Sequence, residues 1–347
     1  MNGKESIFKA FFRCFFITLA VFLGITVGVL LMTAGLVGVT DIEETKPDKS
    51  YTIHTLPDEK GVRKKVSSSK PAILQVNIEG VIGLEKLTTD DVEKLLVESR
   101  EGDLKDDLVK AVLLNINSPG GTVVDSDGIF RAILEYKQLY DVPVYAYVDG
   151  MCASGGVYIA MAADKIYATD VSVIGSVGVL ISSFMNFSDL LDKVGVKTLS
   201  LSAGKGKDAL NPLRPWKAGE GDNIKSIVDY YYNYFVNIVT AHRPITREAL
   251  VNEYGAHVFP AEIAREHGYI DALAANRKEV VHQLAKAAGL EEDNYQVVSL
   301  HPKKWLSELL SNKNALLKGE ITHKIELADD LNPMLLNKFL YLYRPGE

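Results

Sequence analysis

The sequence predicts an α/β fold with a largely parallel sheet and flanking helices, and two observations carry this prediction. From Ala72 onward, short apolar runs typical of strands alternate with amphipathic stretches typical of helices. Strands separated by helices form βαβ units, which pair their strands in parallel. In addition, the apolar runs that end before Gly120 and Gly155 are followed by glycine-rich turns. Open α/β sheets carry their functional groups at such carboxyl ends of strands.

The expected strands and helices alternate along the first part of the domain and are followed by three consecutive helices. We predict strands over residues 72–82, 109–116, 142–148, 165–168, 196–201 and 296–300. We predict helices over residues 88–100, 123–139, 155–163, 189–194, 222–241, 246–254, 260–267 and 303–310. Thr88 and Asp91 have the spacing of a helix capping box, and Gly268 is a typical C-terminal stop. The apolar and aromatic segment 333–343 is expected to dock on the domain or on a partner subunit.

The first 40 residues predict a membrane anchor. Lys4, Lys9 and Arg13 precede about 27 uncharged residues, which is enough to cross a bilayer. A cleaved signal peptide has a shorter apolar core and a small-residue cleavage site, which Ala34-Gly35 matches poorly. The basic charges before the span place the N-terminus in the cytoplasm. We therefore expect a single-pass protein of the cell inner (cytoplasmic) membrane, with its main domain on the periplasmic or extracellular side.

The composition of the rest of the chain indicates three further segments. After the anchor (1–40) we expect a polar tether (41–70), a catalytic domain (71–289) and a C-terminal extension (290–347) that is a candidate subunit interface.

The 347 residues carry a net charge of −7 and only one short basic stretch, at residues 63–65, so nucleic acid is not expected as a partner. The two cysteines, Cys14 and Cys152, show neither a disulfide framework nor zinc spacing. No metal or organic cofactor is expected.

Two turns carry the chemistry. A strand that ends in Ser118-Pro119-Gly120-Gly121 turns sharply and leaves backbone N–H groups unpaired, as an oxyanion hole requires. Ser154 precedes a small-residue helix, where the helix dipole favours developing negative charge. We therefore expect acyl transfer, with Ser154 as the nucleophile and the N–H groups of Gly121 and Gly155 as the oxyanion hole. Gly120 is the alternative to Gly121.

Cys152, two residues before Ser154, is a weaker candidate nucleophile. It falls at the end of a predicted strand without an adjacent base, and a buried cysteine commonly acts as a small apolar residue. Cys152 also occupies the position at which a Gly-x-Ser-x-Gly motif needs glycine, so an α/β-hydrolase is disfavoured.

A serine hydroxyl needs a base to take its proton. The seven histidines lie in the predicted tether or in and after the late helices. A Ser-His-Asp triad stays open, because triads are assembled in space. The alternative is a neutral lysine, whose pKa burial lowers. The glycine-rich loop Gly204-Lys205-Gly206-Lys207-Asp208 offers Lys205 and Lys207 as candidates.

Four motifs in order resemble the Clp/crotonase superfamily and, within it, the signal peptide peptidase (SppA) family of serine peptidases. The resemblance runs from about residue 71 to about residue 273. It rests on segments that contain the two glycine pairs, a Gly-Ser-Val-Gly turn and the lysine loop, at residues 114–121, 150–158, 174–179 and 202–208. It implies a Ser154–Lys207 dyad, because Lys207 to Pro212 matches the family's Lys-Asp-x-x-x-Pro pattern. It also implies that the hydroxyl of Ser176 orients the lysine.

The resemblance implies a membrane-anchored serine endopeptidase that degrades cleaved signal peptides or other short, extended, apolar peptides. Such peptides bind by adding to strand edges. It further implies a homo-oligomeric ring in which neighbouring protomers supply the serine and the lysine. A crotonase-like acyl-CoA enzyme is the rival, but CoA is absent beyond the membrane and the lysine loop would have no role. A non-catalytic scaffold of the same fold is the third interpretation, which loss of Ser154 or Lys207 would have favoured.

Overall fold

The computed structural model describes residues 15–28, 51–84, 87–302 and 338–343. The chain divides into two units, Met1–Ser50 and Tyr51–Glu347. In the first unit, residues 15–28 form an exposed helix, α1. No helix within the described residues has both the length and the apolar character needed to cross a membrane. The other residues of the predicted anchor, 1–14 and 29–40, lie outside the described residues.

The second unit alternates strands and helices along the chain. Its strands are β1 (Tyr51–Leu56), β2 (Ala72–Glu79), β3 (Val109–Ser118), β4 (Gly120–Thr122), β5 (Val144–Ala153), β6 (Lys165–Ala168), β7 (Val173–Gly175), β8 (Leu180–Ile181), β9 (Val258–Pro260), β10 (Ala272–Leu273), β11 (Gln296–Pro302) and β12 (Phe339–Leu342). Its α-helices are α2 (Thr89–Glu98), α3 (Val123–Tyr140), α4 (Gly155–Ala160), α5 (Ser188–Lys193), α6 (Asp222–His242), α7 (Ala261–Glu266) and α8 (Arg277–Ala287). A 3₁₀ turn (Gly102–Leu104) and a π-helix (Ala249–Tyr254) complete the described elements.

Nine strands form the main sheet, in the order β1-β11-β2-β3-β5-β6-β10, with β7 beside β5 and β9 beside β7. Among the described strand pairs of this sheet, only β1/β11 and β7/β9 are antiparallel. The prediction of a mixed α/β fold with a mostly parallel sheet is therefore confirmed. Helices cover both faces: α3, α4 and α6 pack in one hydrophobic cluster and α8 packs in another. The central strands β2, β3 and β5 are largely apolar because most of their residues are buried, on both faces of the sheet.

The carboxyl ends of β3 and β5 carry the two glycine-rich turns. β3 and β5 are adjacent and parallel, so both turns meet at one edge of the sheet. A second, three-stranded sheet lies there, in the order β4-β12-β8. The predicted capping box is present, because Thr88 accepts a bond from the N–H of Asp91 and the Asp91 carboxylate accepts one from the N–H of Thr88.

The structure adds several short strands that were not predicted, among them β7 and β9, and it differs from the predicted elements in other places. Within the predicted tether, β1 pairs with β11, since its alternating pattern half-buries Tyr51 and Ile53, and residues 51–70 belong to the second unit. Residues 196–201 form no strand and are exposed, because no neighbouring strand pairs with them. Helix α8 lies in a stretch for which no element was predicted, and Asn276 caps it by accepting bonds from the N–H groups of Lys278 and Glu279. The predicted helix over 303–310 lies outside the described residues.

Candidate active site

Ser154 lies in a strained backbone conformation where β5 gives way to α4. Its φ is +53° and its ψ is −113°. Residues other than glycine rarely adopt this backbone conformation, which costs them of order 1–3 kcal/mol. The residue is 1% exposed, and its N–H donates to the carbonyl of Gly175 at 2.8 Å. Its hydroxyl makes no capping bond to α4. The turn thus fixes Ser154 at a helix N-terminus without using its hydroxyl for capping.

The two glycines that follow Ser154 allow this turn to pack tightly. A Cβ built on Gly155 would lie 2.4 Å from Ser126 Oγ, and one built on Gly156 would lie 3.1 Å from the carbonyl oxygen of Ser118. Both distances are below ordinary contact distance. Helix α4 therefore needs both glycines to approach the end of β3 and the start of α3.

The proposed oxyanion donors lie side by side. A Cβ on Gly155 would lie 3.2 Å from the backbone nitrogen of Gly121, and a Cβ on Gly120 would lie 2.8 Å from the nitrogen of Gly155. Gly120 has a φ of +101°, which makes the sharp turn possible. Its N–H donates to Ser118 Oγ at 3.1 Å. That bond turns the N–H of Gly120 towards Ser118, whereas Gly121 lies opposite Tyr341 across the β4/β12 pair.

Ser176 lies at the end of β7, next to the turn of Ser154. β7 pairs with β5 so that Gly175 is opposite Ala153. Ser176 also has a positive φ, +59°, and its N–H donates to the carbonyl of His257 at 2.6 Å. It is 6% exposed. The structure therefore brings Ser176 to the edge of the sheet that carries Ser154.

The lysine loop is exposed on the surface of the chain. Lys205 and Lys207 are both exposed, and no hydrogen bond or ion pair within the described residues joins either of them to Ser154. The loop is held by Arg214, which donates to the carboxylate of Asp208 at 2.6 Å and pairs with Glu220 at 2.7 Å. Within one copy of the chain, Ser154, Ser176, Gly121 and Gly155 lie at one edge of the sheet, whereas both lysines of the loop are exposed.

Cys152 is buried, and its environment disfavours the thiolate. The residue is 1% exposed, and burial raises the pKa of its thiol to about 12. Because the thiolate is the reactive form, Cys152 is poorly suited to be a nucleophile. Of the histidines, His257 reaches this edge through its backbone carbonyl, while its ring is hydrogen-bonded to the carbonyl of Tyr254. His323 lies outside the described residues.

Two polar residues that the sequence analysis did not single out hold the turns. Ser118 Oγ donates to the carbonyl of Gly80 at 2.6 Å while it accepts from Gly120. Asn117 Oδ1 accepts from the N–H of Met151 at 3.1 Å and so ties the end of β3 to the strand that leads to Ser154. Asn and Ser commonly bond backbone in turns, so the Asn-Ser-Pro-Gly-Gly composition contained this signal. Within the described ranges, no group of three or more His, Cys, Asp and Glu side chains is placed to hold a metal ion.

Comparison with known proteins places the chain in a family. The model of peptidase family S49 matches residues 138–291, and that of the Clp protease family matches residues 82–174. A protein of Enterococcus faecium that carries the name signal peptide peptidase SppA is 32% identical, over 62% of each chain. A Synechocystis protein named as a protease is 33% identical over 60% of this chain and 74% of its own length. The chloroplastic serine protease SPPA of Arabidopsis thaliana is 30% identical over 51% of this chain and 26% of its own.

Among solved structures, ClpP1 of Listeria monocytogenes aligns with 58% of this chain and 92% of its own, at 17% identity and a TM-score of 0.39. The 1510-N membrane-bound stomatin-specific protease aligns with 68% of this chain and all of its own, at 17% identity and a TM-score of 0.44. The chain spans less than two thirds of the Enterococcus relative, but it covers nearly three quarters of the Synechocystis relative at 33% identity. The chain belongs to peptidase family S49.

Proposed function

We propose that this chain is a membrane-anchored serine endopeptidase with Ser154 as the nucleophile and Lys207 as the general base. One observation carries the proposal: a buried, strained serine begins α4 beside the backbone nitrogens of Gly121 and Gly155. A nucleophile held next to two such donors suits the attack on a carbonyl and the stabilisation of the oxyanion that forms. Membership of family S49 supports the same reaction class.

In the proposed reaction, the neutral amine of Lys207 takes the proton from Ser154 Oγ as the oxygen attacks the peptide carbonyl. The N–H groups of Gly121 and Gly155 bind the oxyanion. The lysine then protonates the leaving amine, and the C–N bond breaks. A water molecule, deprotonated by the same lysine, hydrolyses the acyl-enzyme and restores Ser154. The hydroxyl of Ser176 is assigned to orient the lysine amine.

A lysine acts as a general base only when it is neutral, and burial is what lowers its pKa. In the single chain Lys207 is exposed, so the proposal requires a second chain to bury it against a serine. The surface around the lysine loop supports this requirement. Large apolar side chains stand exposed there, among them Leu199 at 84% and Leu201 at 88%. Contiguous exposed apolar surface commonly marks a protein interface. We therefore assign the active form to a homo-oligomeric ring whose neighbouring protomers share each site.

The proposed substrates are cleaved signal peptides and other short, extended, apolar peptides near the membrane. The name of the Enterococcus relative supports this substrate class. The proposed location is the cell inner membrane, with one span, a cytoplasmic N-terminus and the catalytic domain on the far side. The basic residues Lys4, Lys9 and Arg13 ahead of the uncharged stretch support that orientation.

The test is cleavage of casein, an unstructured protein, by the full-length chain in detergent solution. Ser154→Ala and Lys207→Ala are each expected to lower the rate by on the order of a thousandfold or more, as removal of a nucleophile or its base does. Lys205→Ala is the matched control, because it removes a neighbouring, equally exposed lysine from the same loop. It should keep most of the activity. Cleavage that survives Ser154→Ala, or an oligomeric wild type without peptidase activity, would overturn the proposal, and the latter result would favour a scaffold.

A further inference from the structure

A cleft opens within the main sheet, between β2 and β11. These two strands pair over three residues each, Gln296 to Val298 with Ala72 to Leu74. Beyond that point β2 continues beside β3 as far as Glu79, and β11 continues beside β1 as far as Pro302. The two strands therefore diverge, and the cleft between them has a volume of about 470 Å³. This volume is in the range of ligand pockets, roughly 300–1,000 Å³.

The edge of β2 that faces this cleft carries backbone groups without a strand partner. The N–H of Gly80 donates to the carbonyl of Asn117 on β3 at 3.0 Å. Successive residues of a parallel strand direct their backbone groups to opposite sides. Asn77 and Glu79 therefore point theirs away from β3 and into the cleft. Because the pairing with β11 ends at Leu74, no described strand lies opposite these two residues.

The edge of β11 faces the same cleft in the same way. The N–H of Gln296 donates to the carbonyl of Pro71, just before β2, at 3.0 Å. By the same alternation, Val298 and Leu300 also direct their backbone groups towards β2. Val298 pairs with Leu74, but the described pairing does not extend to Leu300. Two strand edges with free N–H and C=O groups are what an extended peptide pairs with when it adds to a sheet.

The side chains on the two faces of the cleft differ. The face towards α2 is apolar, with Leu87, Leu95 and Leu300, all of which belong to or pack against the main hydrophobic cluster. Side chains of a strand alternate between its faces, so the other lining residues of β2 and β11 point to the opposite side. These residues are polar: Gln75, Asn77, Glu79, Ser299 and His301.

The cleft is acidic. Glu79 and Asp91 contribute two carboxylates, and no lysine or arginine is among the described residues that line it. Glu79 is exposed, and its carboxylate accepts a bond from the neutral amide of Asn115 at 3.0 Å. Arg277 of α8 donates to Gln75 at 2.6 Å, but Gln75 lies four residues, about 13 Å of strand, before Glu79. A basic side chain of a ligand is thus favoured beside Glu79.

The cleft borders the segment that supports the oxyanion turn. Gly80 and Val81 line the cleft. The carbonyl of Gly80 also accepts a bond from Ser118 Oγ at 2.6 Å, and Ile82 pairs in parallel with Gly121. Residues 80–82 are therefore a common border of the cleft and the candidate active site, so one extended peptide can contact both.

We propose that the cleft between β2 and β11 is a second peptide-binding site, which holds a segment of the substrate as an added strand, outside the bond that is cut. This inference rests on the proposed function. The segment that fits alternates apolar side chains, which face α2, with lysine or arginine side chains, which face Glu79. Signal peptides join basic and apolar residues, so the proposed substrates supply both kinds of side chain.

The first test measures the fluorescence anisotropy of a labelled, capped peptide, Leu-Lys-Leu-Lys-Leu-Lys, with the full-length Ser154→Ala chain in non-ionic detergent. Two matched peptides are compared with it. Leu-Glu-Leu-Glu-Leu-Glu reverses the charge, and Leu-Leu-Leu-Lys-Lys-Lys keeps the composition without the alternation. We expect the alternating lysine peptide to bind about tenfold more tightly than either of the others. Equal affinity for all three peptides would overturn the inference.

A charge variant tests the role of Glu79. Glu79→Gln removes the negative charge but keeps an oxygen that can accept the bond from Asn115. It should weaken binding of the alternating lysine peptide about fivefold, as the loss of one partly exposed ion pair does. Glu93→Gln is the matched control, because Glu93 is an exposed glutamate that lies in the groove between α2 and α3 instead of this cleft. It should leave the affinity unchanged.

Hydrogen exchange, measured by mass spectrometry, locates the bound peptide. The amides of Asn77, Glu79 and Leu300 should exchange more slowly when the alternating lysine peptide is bound, because an added strand accepts their bonds. The amides of β4 should keep their rates. Slower exchange confined to β4 would place the peptide in the candidate active site and would contradict a second site.

Cleavage kinetics separate this inference from the proposed function. A quenched fluorescent peptide that the wild type cuts is extended by Leu-Lys-Leu-Lys at one end or at the other. One extension should lower KM about tenfold with kcat unchanged, and Glu79→Gln should reverse most of that gain. If casein is cleaved but neither extension changes KM, the second site is wrong and the proposed function stands. If the wild type cleaves neither casein nor the peptides, the proposed function fails, and the cleft is not a substrate site.

Discussion

Replacing Ser154 by glycine is expected to give a more stable protein than replacing it by alanine. Both changes remove the hydroxyl, so they differ only in backbone freedom and one methyl group. The φ of +53° at Ser154 costs a residue with a side chain of order 1–3 kcal/mol. Glycine tolerates this conformation but is disfavoured elsewhere by about 0.5–1 kcal/mol because its unfolded chain is more flexible. The balance predicts that Ser154→Gly exceeds Ser154→Ala in unfolding free energy by about 1 kcal/mol.

The assay is urea unfolding of the full-length chain, followed by circular dichroism. A glycine and alanine pair at Ser126 is the matched control. Ser126 is also a buried serine, but it lies within α3, where glycine is worse than alanine by about 1 kcal/mol. The sign of the difference should therefore reverse between the two sites. Equal stability of the two Ser154 variants, or a more stable Ser154→Ala, would refute the conclusion that the turn is strained.

Three further results are expected. Cys152, with a thiol pKa raised by burial to about 12, should resist alkylation at pH 8 in the folded chain and react after unfolding, as peptide mapping would show; rapid labelling of the native chain would contradict its burial. The pKa of Asp271 lies below its ordinary value, because hydrogen bonds from Arg243 and the N–H of Ile166 outweigh burial, which raises it. Asp271→Asn should therefore cost about 2 kcal/mol at pH 7, and the gap to wild type should close as the pH falls below about 4; a gap independent of pH would contradict this. Arg214→Ala should release Asp208 and make the lysine loop more sensitive to trypsin, and an unchanged digestion pattern would show that other contacts hold the loop.

The long strands and the positions of the two glycine-rich turns could be predicted from the sequence. The apolar runs that became β2, β3 and β5 are long enough to be recognised alone, and β6 was predicted with its observed bounds. The two glycine pairs predicted a shared edge because parallel neighbouring strands end together. The juxtaposition of Gly121, Gly155 and Ser154 follows from that geometry, whereas the catalytic roles of these residues stay predictions.

The remaining features depend on contacts that local patterns do not encode. Strands β7, β8 and β10 have two or three residues and exist only because longer neighbours pair with them. β12 is far from β4 in sequence, so their pairing could not be read from periodicity. The lysine loop is a case in which the motif predicts more than the single chain provides. Its motif predicts a buried base, but both lysines are exposed in one copy of the chain.

The most direct test of the shared Ser154–Lys207 site is subunit mixing. Ser154→Ala and Lys207→Ala should each be inactive towards casein when purified alone. Mixed in equal amounts under conditions that let protomers exchange, they should recover about a quarter of wild-type activity, because random assembly of a ring unites an intact serine and an intact lysine at that fraction of its interfaces. A mixture that stays at background would contradict a site shared between protomers, and activity in Lys207→Ala alone would contradict the assignment of the base.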